Sequence, residues 1–228
     1  MILPPEPDAV RPRPTLIFDF DGTLADTLPL LLALSNRLAP EYGYRRVAEE
    51  DIDALRSLHA REVIRWLGVP WYRLPRLARR IRAELQREMS LVKPIKLMPT
   101  VVTQLAQNYQ LGILTTNSVA NVRVFLEAQR MEHFAFVCSS PQLLGKRRTL
   151  KRVLREQRLT ATNALYIGDE VRDVEAARAC ALDTIAVGWG ANVTDSLARA
   201  NPYKIVHLPG ELPEAADAWA TTRRTMSS

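Results

Sequence analysis

One stretch constrains the fold of this chain more than any other, namely the nine residues from Leu16 to Leu24, LIFDFDGTL. Large apolar residues typical of a buried strand lead into two aspartates and then into a glycine turn. Side chains at positions i and i+2 of an extended chain point the same way, so Asp19 and Asp21 leave the strand end together, about 6.6 Å apart. Two such anions repel unless a cation lies between them or one binds a proton. The stretch therefore predicts a buried strand that ends in a polar site.

Strands alternate with helices after about residue 93. Periodicity predicts short buried strands at 111–114, 134–138, 164–167, 184–187 and 204–206, with helices near 99–109, 119–129 and 147–157 and another ending at Ala181. Alternation of this kind gives right-handed crossovers and a parallel sheet covered on both faces, a Rossmann-like doubly wound α/β fold. The residues from about Thr221 are predicted to form a solvated tail.

The segment from 27 to 92 differs from the rest of the chain in the spacing of its apolar residues. Apolar residues recur at spacings of three and four, and breaks at Gly43, at Gly68 to Pro70 and at Pro75 divide the segment into about four helices. We therefore expect an all-helical insert between the first strand and the rest of the sheet.

Polar residues follow directly on three of the predicted strands. Asp19 and Asp21 follow the first strand, Thr115 and Thr116 end the second, and Gly168-Asp169 follows the fourth. Ligands bind beyond the carboxyl ends of the strands in open α/β sheets, so these groups should meet at one edge.

Composition excludes several classes of protein. The net charge is +6, but only five of the 31 basic residues are lysines, and many arginines fall on the solvated faces of predicted helices. No nucleic-acid motif and no run of about 18 apolar residues is present, and the opening Met1 to Pro14 lacks the apolar core of a signal peptide. Cys138 and Cys180 have no metal-ligand spacing and are predicted to be buried thiols in a reducing compartment. We expect a cytoplasmic protein that binds neither nucleic acid nor membrane.

Four motifs in this order resemble those of the haloacid dehalogenase (HAD) superfamily of hydrolases. They are Asp19-x-Asp21-Gly22-Thr23, Thr116-Asn117, Lys146, and Gly168-Asp169-x-x-x-Asp173. The resemblance implies a core domain formed by residues 1–26 and 93–228, with residues 27–92 as a helical cap of the phosphoglycolate-phosphatase type. Met98-Pro99-Thr100 departs from the Pro-Gly that related phosphatases carry there, a difference that affects the return linker only.

The resemblance also implies roles for these residues. Asp19 would attack phosphorus to give an aspartyl-phosphate, and Asp21 would act as general acid and base. Thr116, Asn117 and Lys146 would bind the phosphoryl group, with Thr115 and Lys151 as rivals for the hydroxyl and the amine. The expected cofactor is Mg²⁺, for which the candidate ligands are Asp19, Asp21 through its backbone carbonyl, Asp169 and Asp173. Asp173, with Glu170 as a rival, is expected to hold a metal-bound water or Lys146 rather than the metal itself.

Arg56 and His59, near the start of a predicted cap helix, are the candidates for substrate contact from the cap. The reaction expected by resemblance is Mg²⁺-dependent hydrolysis of a small phosphorylated metabolite by a monomer or homodimer. A phosphonoacetaldehyde hydrolase would need a cap lysine, and residues 22–92 contain none. Asp21 argues against a dehalogenase, which does not use the second aspartate. A phosphomutase of the β-phosphoglucomutase type and a catalytically idle binding module remain as alternatives.

Overall fold

A single parallel sheet forms the centre of the molecule. The computed structural model describes residues 13–140 and 145–226. Within these residues the sheet has six strands in the order β3-β2-β1-β4-β5-β6, with every neighbouring pair parallel. The strands are β1 (Thr15–Phe18), β2 (Gln110–Thr115), β3 (Phe134–Ser139), β4 (Ala164–Gly168), β5 (Asp183–Val187) and β6 (Lys204–Val206). The predicted Rossmann-like α/β fold is confirmed.

Helices connect the strands and cover both faces of the sheet. They are α1 (Leu28–Tyr42), α2 (Ile52–Arg56), α3 (Ala60–Leu67), α4 (Leu74–Glu88), α5 (Met98–Asn108), α6 (Val119–Ala128), α7 (Lys146–Glu156), α8 (Val171–Arg178), α9 (Thr194–Arg199) and α10 (Leu212–Met226).

Alternate residues of a strand point to opposite faces of the sheet, as β1 shows. On β1, Leu16 and Phe18 pack in a cluster with residues of α5, α6 and α10, whereas Ile17 packs in a second cluster with residues of α7 and α8. All three side chains are fully buried. Because both faces of the sheet are covered, the sequences of its strands are nearly continuous apolar runs, as in other parallel sheets.

β1 lies at the switch point of the sheet. The chain adds β2 and β3 on one side of β1 and then crosses over to add β4, β5 and β6 on the other side. Phe18 at the end of β1 is in register with Ile113 of β2 and Ile167 of β4. The residues after β1 therefore emerge between the ends of two neighbouring strands, which is where such sheets bind ligands.

The predicted insert is helical. Residues 27–92, all of them described, contain α1 to α4 and short 3₁₀ turns and no strand. Leu38, Tyr42, Val69 and Leu77 are buried together, so this segment has a small apolar cluster of its own. None of the described helices combines the length and the apolar character needed to cross a membrane.

Two expectations need correction. Of the predicted solvated tail, residues 221–226 form the end of α10, and residues 221–225 are mostly exposed as expected. Earlier in the same helix, Leu212, Ala215, Ala216 and Trp219 are fully buried at helical spacing. The indole N–H of Trp219 donates to Asp183 Oδ2 at 2.8 Å, so the sheet anchors this helix.

The two cysteines are free thiols and are partly exposed rather than buried. Cys138 lies on β3, which is an edge strand, and Cys180 lies in the turn after α8, so neither is covered on all sides. Residues 1–12, 141–144 and 227–228, which belong to the expected core domain and include most of the opening segment, lie outside the described residues.

Candidate active site

Carboxylates from two neighbouring strand ends meet at the carboxyl edge of the sheet. Asp19 follows β1, and its backbone N–H still donates to the carbonyl of Ile167 on β4 at 2.8 Å. Asp169 follows β4 directly, and Asp173 lies in the first turn of α8. Oxygens of Asp19, Asp169 and Asp173 all lie within 4.8 Å of one another, and the three residues are buried. Clustered carboxylate oxygens are the ligands that a hard divalent cation prefers.

One lysine reaches into this acidic cluster. The Lys146 ammonium donates to Asp19 Oδ2 at 2.6 Å and to Asp173 Oδ1, although only 3% of its side chain is exposed. Burial alone would lower the pKa of Lys146, but Asp173 and Asp19 raise it well above its ordinary value. Lys146 therefore carries a positive charge and contacts two of the three carboxylates. Lys151, the rival lysine, is exposed on the same helix.

The negative charge exceeds what this one ammonium can balance. Burial, followed by repulsion from Glu170 and Asp19, raises the pKa of Asp169 well above its ordinary value. Burial likewise raises the pKa of Asp173 to about 7. Carboxylates resist ionisation in this way when their neighbours carry the same charge. A bound cation would relieve the repulsion, so the residues present fit a divalent metal.

Two direct hydrogen bonds fix the Asp169 carboxylate. Its Oδ1 accepts from the hydroxyl of Thr23 at 2.8 Å, and its Oδ2 accepts from the backbone N–H of Ala191 at 2.7 Å. Glycines allow the surrounding chain to come this close: a Cβ on Gly22 would lie 2.4 Å from Asp169 Oδ2, and one on Gly190 would lie 2.2 Å from Asp169 Cβ. Gly22 also has a φ of +76°, which disfavours other residues. Orientation of Asp169 thus depends on a loop that follows β5.

Asp21 lies beside the cluster and faces the insert. Its Oδ1 accepts from the Asn117 side-chain amide at 3.1 Å, and the Thr115 hydroxyl is 3.5 Å from its Oδ2. Burial and the nearby Asp19 carboxylate raise the pKa of Asp21 to about 6. Asp21 can therefore exchange a proton near neutral pH, as a general acid or base requires.

A large pocket extends from Asp21 into the helical insert. Its cavity volume is about 910 Å³, and Asp21, Thr116, Asn117, Glu170 and Arg172 line its core side. Thr116, rather than Thr115, faces this pocket, whereas the Thr115 hydroxyl accepts from the backbone N–H of Asn117. The structure thus brings Asn117 into contact with Asp21 and places Thr116 in the lining of the same pocket.

Arg56 and His59 are not among the described residues that line this pocket. The Arg56 guanidinium donates to the carbonyls of Gly190 at 2.8 Å and Ala191 at 3.4 Å. His59 is exposed, and its backbone N–H donates to Glu62 at the start of α3. Neither side chain meets the acidic cluster, so their contact with substrate stays a prediction.

Sequence reasoning missed the loop after β5. Asn192 donates from its side-chain amide to the carbonyls of Arg56 at 2.8 Å and Leu58 at 3.2 Å, and the Ser196 hydroxyl donates to Ser57 at 3.0 Å. Residues 188–196, which comprise the loop after β5 and the first turn of α9 and are here called the β5 loop, therefore contact both Asp169 and the insert. Two glycines around a tryptophan directly after a buried strand were the available signal.

Comparison with known proteins shows which family the chain resembles. The model of the haloacid dehalogenase-like hydrolase family matches residues 16–187. A phosphoglycolate phosphatase from Synechococcus elongatus is 37% identical over 205 residues, which is 88% of this chain and 95% of the relative. The probable phosphatase IndB from Dickeya dadantii is 29% identical over 90% of this chain and 94% of its own.

Solved structures share the fold. A haloacid dehalogenase-like family hydrolase from Streptococcus pneumoniae superposes with a TM-score of 0.76 at 20% identity, covering 89% of this chain and 98% of its own. A haloacid dehalogenase-like protein from Agrobacterium tumefaciens gives a TM-score of 0.70 at 19% identity over 91% and 99%. Since the family model covers well over half of the sequence, the chain belongs to the haloacid dehalogenase-like hydrolase family.

Proposed function

We propose that this protein is a Mg²⁺-dependent phosphatase that hydrolyses a small phosphomonoester through an aspartyl-phosphate on Asp19. The observation that carries the proposal is the buried Asp19 carboxylate, held against Lys146 and within 4.8 Å of two further carboxylates. Family membership supports the hydrolytic reaction, and the phosphatase names of the relatives support the phosphoester substrate.

Asp19 is suited to the role of nucleophile. Its Oδ1 accepts from the backbone N–H of Phe20 at 2.8 Å, and its Oδ2 accepts from Lys146 at 2.6 Å, so the carboxylate has one defined orientation. Attack on phosphorus by a fixed carboxylate divides hydrolysis into two easier displacements.

Asp21 supplies and then removes the proton. The leaving alkoxide needs a proton in the first displacement, and the attacking water must lose one in the second. A carboxyl with a pKa near 6 can perform both steps near neutral pH. Asp21 lines the pocket, so its carboxyl would lie close to a leaving group held there.

Lys146, Thr116 and Asn117 would bind the transferring phosphoryl group. Lys146 offers a fixed positive charge, and Thr116 and Asn117 offer a hydroxyl and an amide on the pocket side. Donors that are already oriented stabilise the charge on the phosphoryl oxygens at little cost in reorganisation.

Asp19, Asp169 and the Asp21 carbonyl would hold Mg²⁺, while Asp173 fixes Lys146. The ion, when bound, would neutralise phosphate charge so that one anion can approach another. Residues 27–92 would act as a cap domain over a core of residues 1–26 and 93–228 and exclude water during the first displacement. The expected setting is the cytoplasm.

Phosphate release from a panel of phosphomonoesters, phosphoglycolate included, tests the proposal. We expect turnover with Mg²⁺, loss of turnover with EDTA, and loss again in Asp19→Asn. Asp26→Asn is the matched control, since Asp26 is an exposed aspartate in the same segment. Substantial activity in Asp19→Asn would refute the role of nucleophile. Phosphoryl transfer to a second sugar without phosphate release would indicate a phosphomutase instead.

A further inference from the structure

The pocket between the acidic cluster and the insert has strongly apolar walls. Three helices form these walls, and their side chains are almost all aliphatic. The lining includes Leu28 and Leu31 of α1, Ile64 of α3, and Leu74, Leu77 and Ile81 of α4. Two arginines, Arg61 and Arg82, and Ser35 are the polar exceptions among the insert residues that line it. Apolar side chains that remain in contact with an open cavity lose hydrophobic stabilisation, so an apolar occupant would be favoured there.

The pocket is also much larger than a two-carbon acid requires. Pockets for drug-sized ligands range from about 300 to 1,000 Å³, and this one reaches about 910 Å³. Glycolate would leave most of the volume empty, and its carboxylate could pair with the arginines that line the pocket but not with its aliphatic walls. The size and the chemistry of the walls both suit a larger and less polar group.

The cavity is continuous with the reacting groups. Asp21, Thr116 and Asn117 line the same cavity as Leu31 and Ile81. A phosphate held at Asp19 would therefore place the alcohol part of its ester directly into the apolar space. This continuity favours the leaving group of the substrate as the occupant of the pocket.

We propose that the substrate is the phosphate monoester of a predominantly apolar alcohol, aliphatic or aromatic, whose carbon skeleton lies in the pocket between α1, α3 and α4. This inference depends on the proposed phosphatase function, since it names the leaving group of that reaction. The pocket would then select substrates by burying hydrocarbon.

A series of linear alkyl phosphates from ethyl to octyl tests the inference directly. The leaving-group chemistry is nearly constant along this series, so kcat/KM reports the environment of the alkyl chain. We expect kcat/KM to rise by between about twofold and fourfold for each methylene that enters the pocket, since a fully buried methylene contributes about 0.8 kcal/mol. Hexyl phosphate should then exceed ethyl phosphate and phosphoglycolate by at least about tenfold.

Ala78 offers a matched pair of variants. It lines the pocket from an exposed position on α4, whereas Ala83 of the same helix is exposed and is not among the lining residues. Ala78→Phe should remove most of the preference for long chains, so that kcat/KM becomes nearly flat along the alkyl series. Ala83→Phe carries the same helix-propensity cost and should retain the wild-type preference.

The outcomes separate the two proposals. A flat or falling series, with short esters or phosphoglycolate still hydrolysed in an Asp19-dependent way, would refute the apolar substrate and leave the phosphatase function intact. Equal effects of the two phenylalanine variants would likewise refute it. If the protein hydrolysed none of the esters, the phosphatase function itself would be refuted.

Discussion

Substitution of Gly190 by alanine should weaken the proposed metal site without changing any of its candidate ligands. An added Cβ would lie 2.2 Å from Asp169 Cβ and 2.3 Å from its Oδ2, whereas ordinary contact begins at 3.4 Å. The β5 loop and Asp169 must therefore separate by about 1.2 Å. A shift of that size along the 2.7 Å bond from Ala191 N–H would stretch it to about 3.9 Å, beyond hydrogen-bonding distance.

Two measurable losses follow from this displacement. Overpacking of a well-packed site costs about 1–3 kcal/mol, which for a chain of this size lowers Tm by roughly 2–12 °C. Loss of a hydrogen bond that orients a metal ligand typically lowers metal affinity about 10- to 100-fold. Calorimetric titration of the metal-free protein with Mg²⁺, together with thermal unfolding, measures both effects independently of activity.

Gly210→Ala is the control for the backbone change. Gly210 is exposed, a Cβ there would meet nothing within 4 Å, and its φ is not positive. We expect unchanged Mg²⁺ affinity and equal or slightly higher stability, since alanine restricts the unfolded chain. If Gly190→Ala bound Mg²⁺ within twofold of Gly210→Ala and unfolded at the same temperature, the close packing of Asp169 against the β5 loop would be refuted.

Three further predictions concern charge and the insert. Lys146→Met should destabilise the metal-free protein by about 3–5 kcal/mol, because two buried carboxylates lose their counterion, and added Mg²⁺ should restore part of the stability. Relative to wild type, metal-free Asp21→Asn should gain stability as the pH rises from about 4 to 6. The raised pKa of Asp21 contributes stability to the wild type that is fully present below the pKa of an unfolded aspartate, and this contribution is lost as the pH rises through about 6. Arg56→Met should lower Tm by a few degrees and speed proteolysis of residues 28–91, since the bonds to Gly190 and Ala191 are lost.

Each of these has its own check. Lys151→Met should leave Tm within about 2 °C of wild type, and an equal loss in both lysine variants would contradict the buried ion pairs. A constant stability difference across the pH range would show that the pKa of Asp21 is not raised. Arg65→Met changes an exposed arginine of α3, so matching proteolysis rates in the Arg56 and Arg65 variants would contradict the proposed attachment of the insert.

Local sequence was sufficient for the sheet and for its acidic edge. The strand ending at Phe18 is a continuous apolar run because both of its faces are covered, and Asp19 follows it where the core ends. The positions of Asp19 and Asp169 then follow from the parallel order of β1 and β4. The strands are encoded within short windows of sequence, and their parallel arrangement follows from the alternation of strands and helices, so these features could be predicted.

Choices between neighbouring candidates depended on tertiary packing. Lys146 and Lys151 are equivalent as amines, and only the direction in which α7 meets the sheet brings Lys146 to Asp19. Arg56 was expected at the substrate, but it reaches the carbonyls of a loop more than 130 positions away. The last helix carried the signal of Leu212, Ala215, Ala216 and Trp219 at helical spacing, and the threonines that follow obscured it.

The β5 loop has a consequence for engineering this protein. The β5 loop holds Asp169, a proposed metal ligand, through the backbone N–H of Ala191, and it holds the helical insert through the side chains of Asn192 and Ser196. A chimera that receives only the insert of a relative would lose these hydrogen bonds to the insert and would leave Asp169 less firmly held. Substrate preference should therefore be transferred to such a chimera only when residues 188–196 are exchanged together with the helical insert.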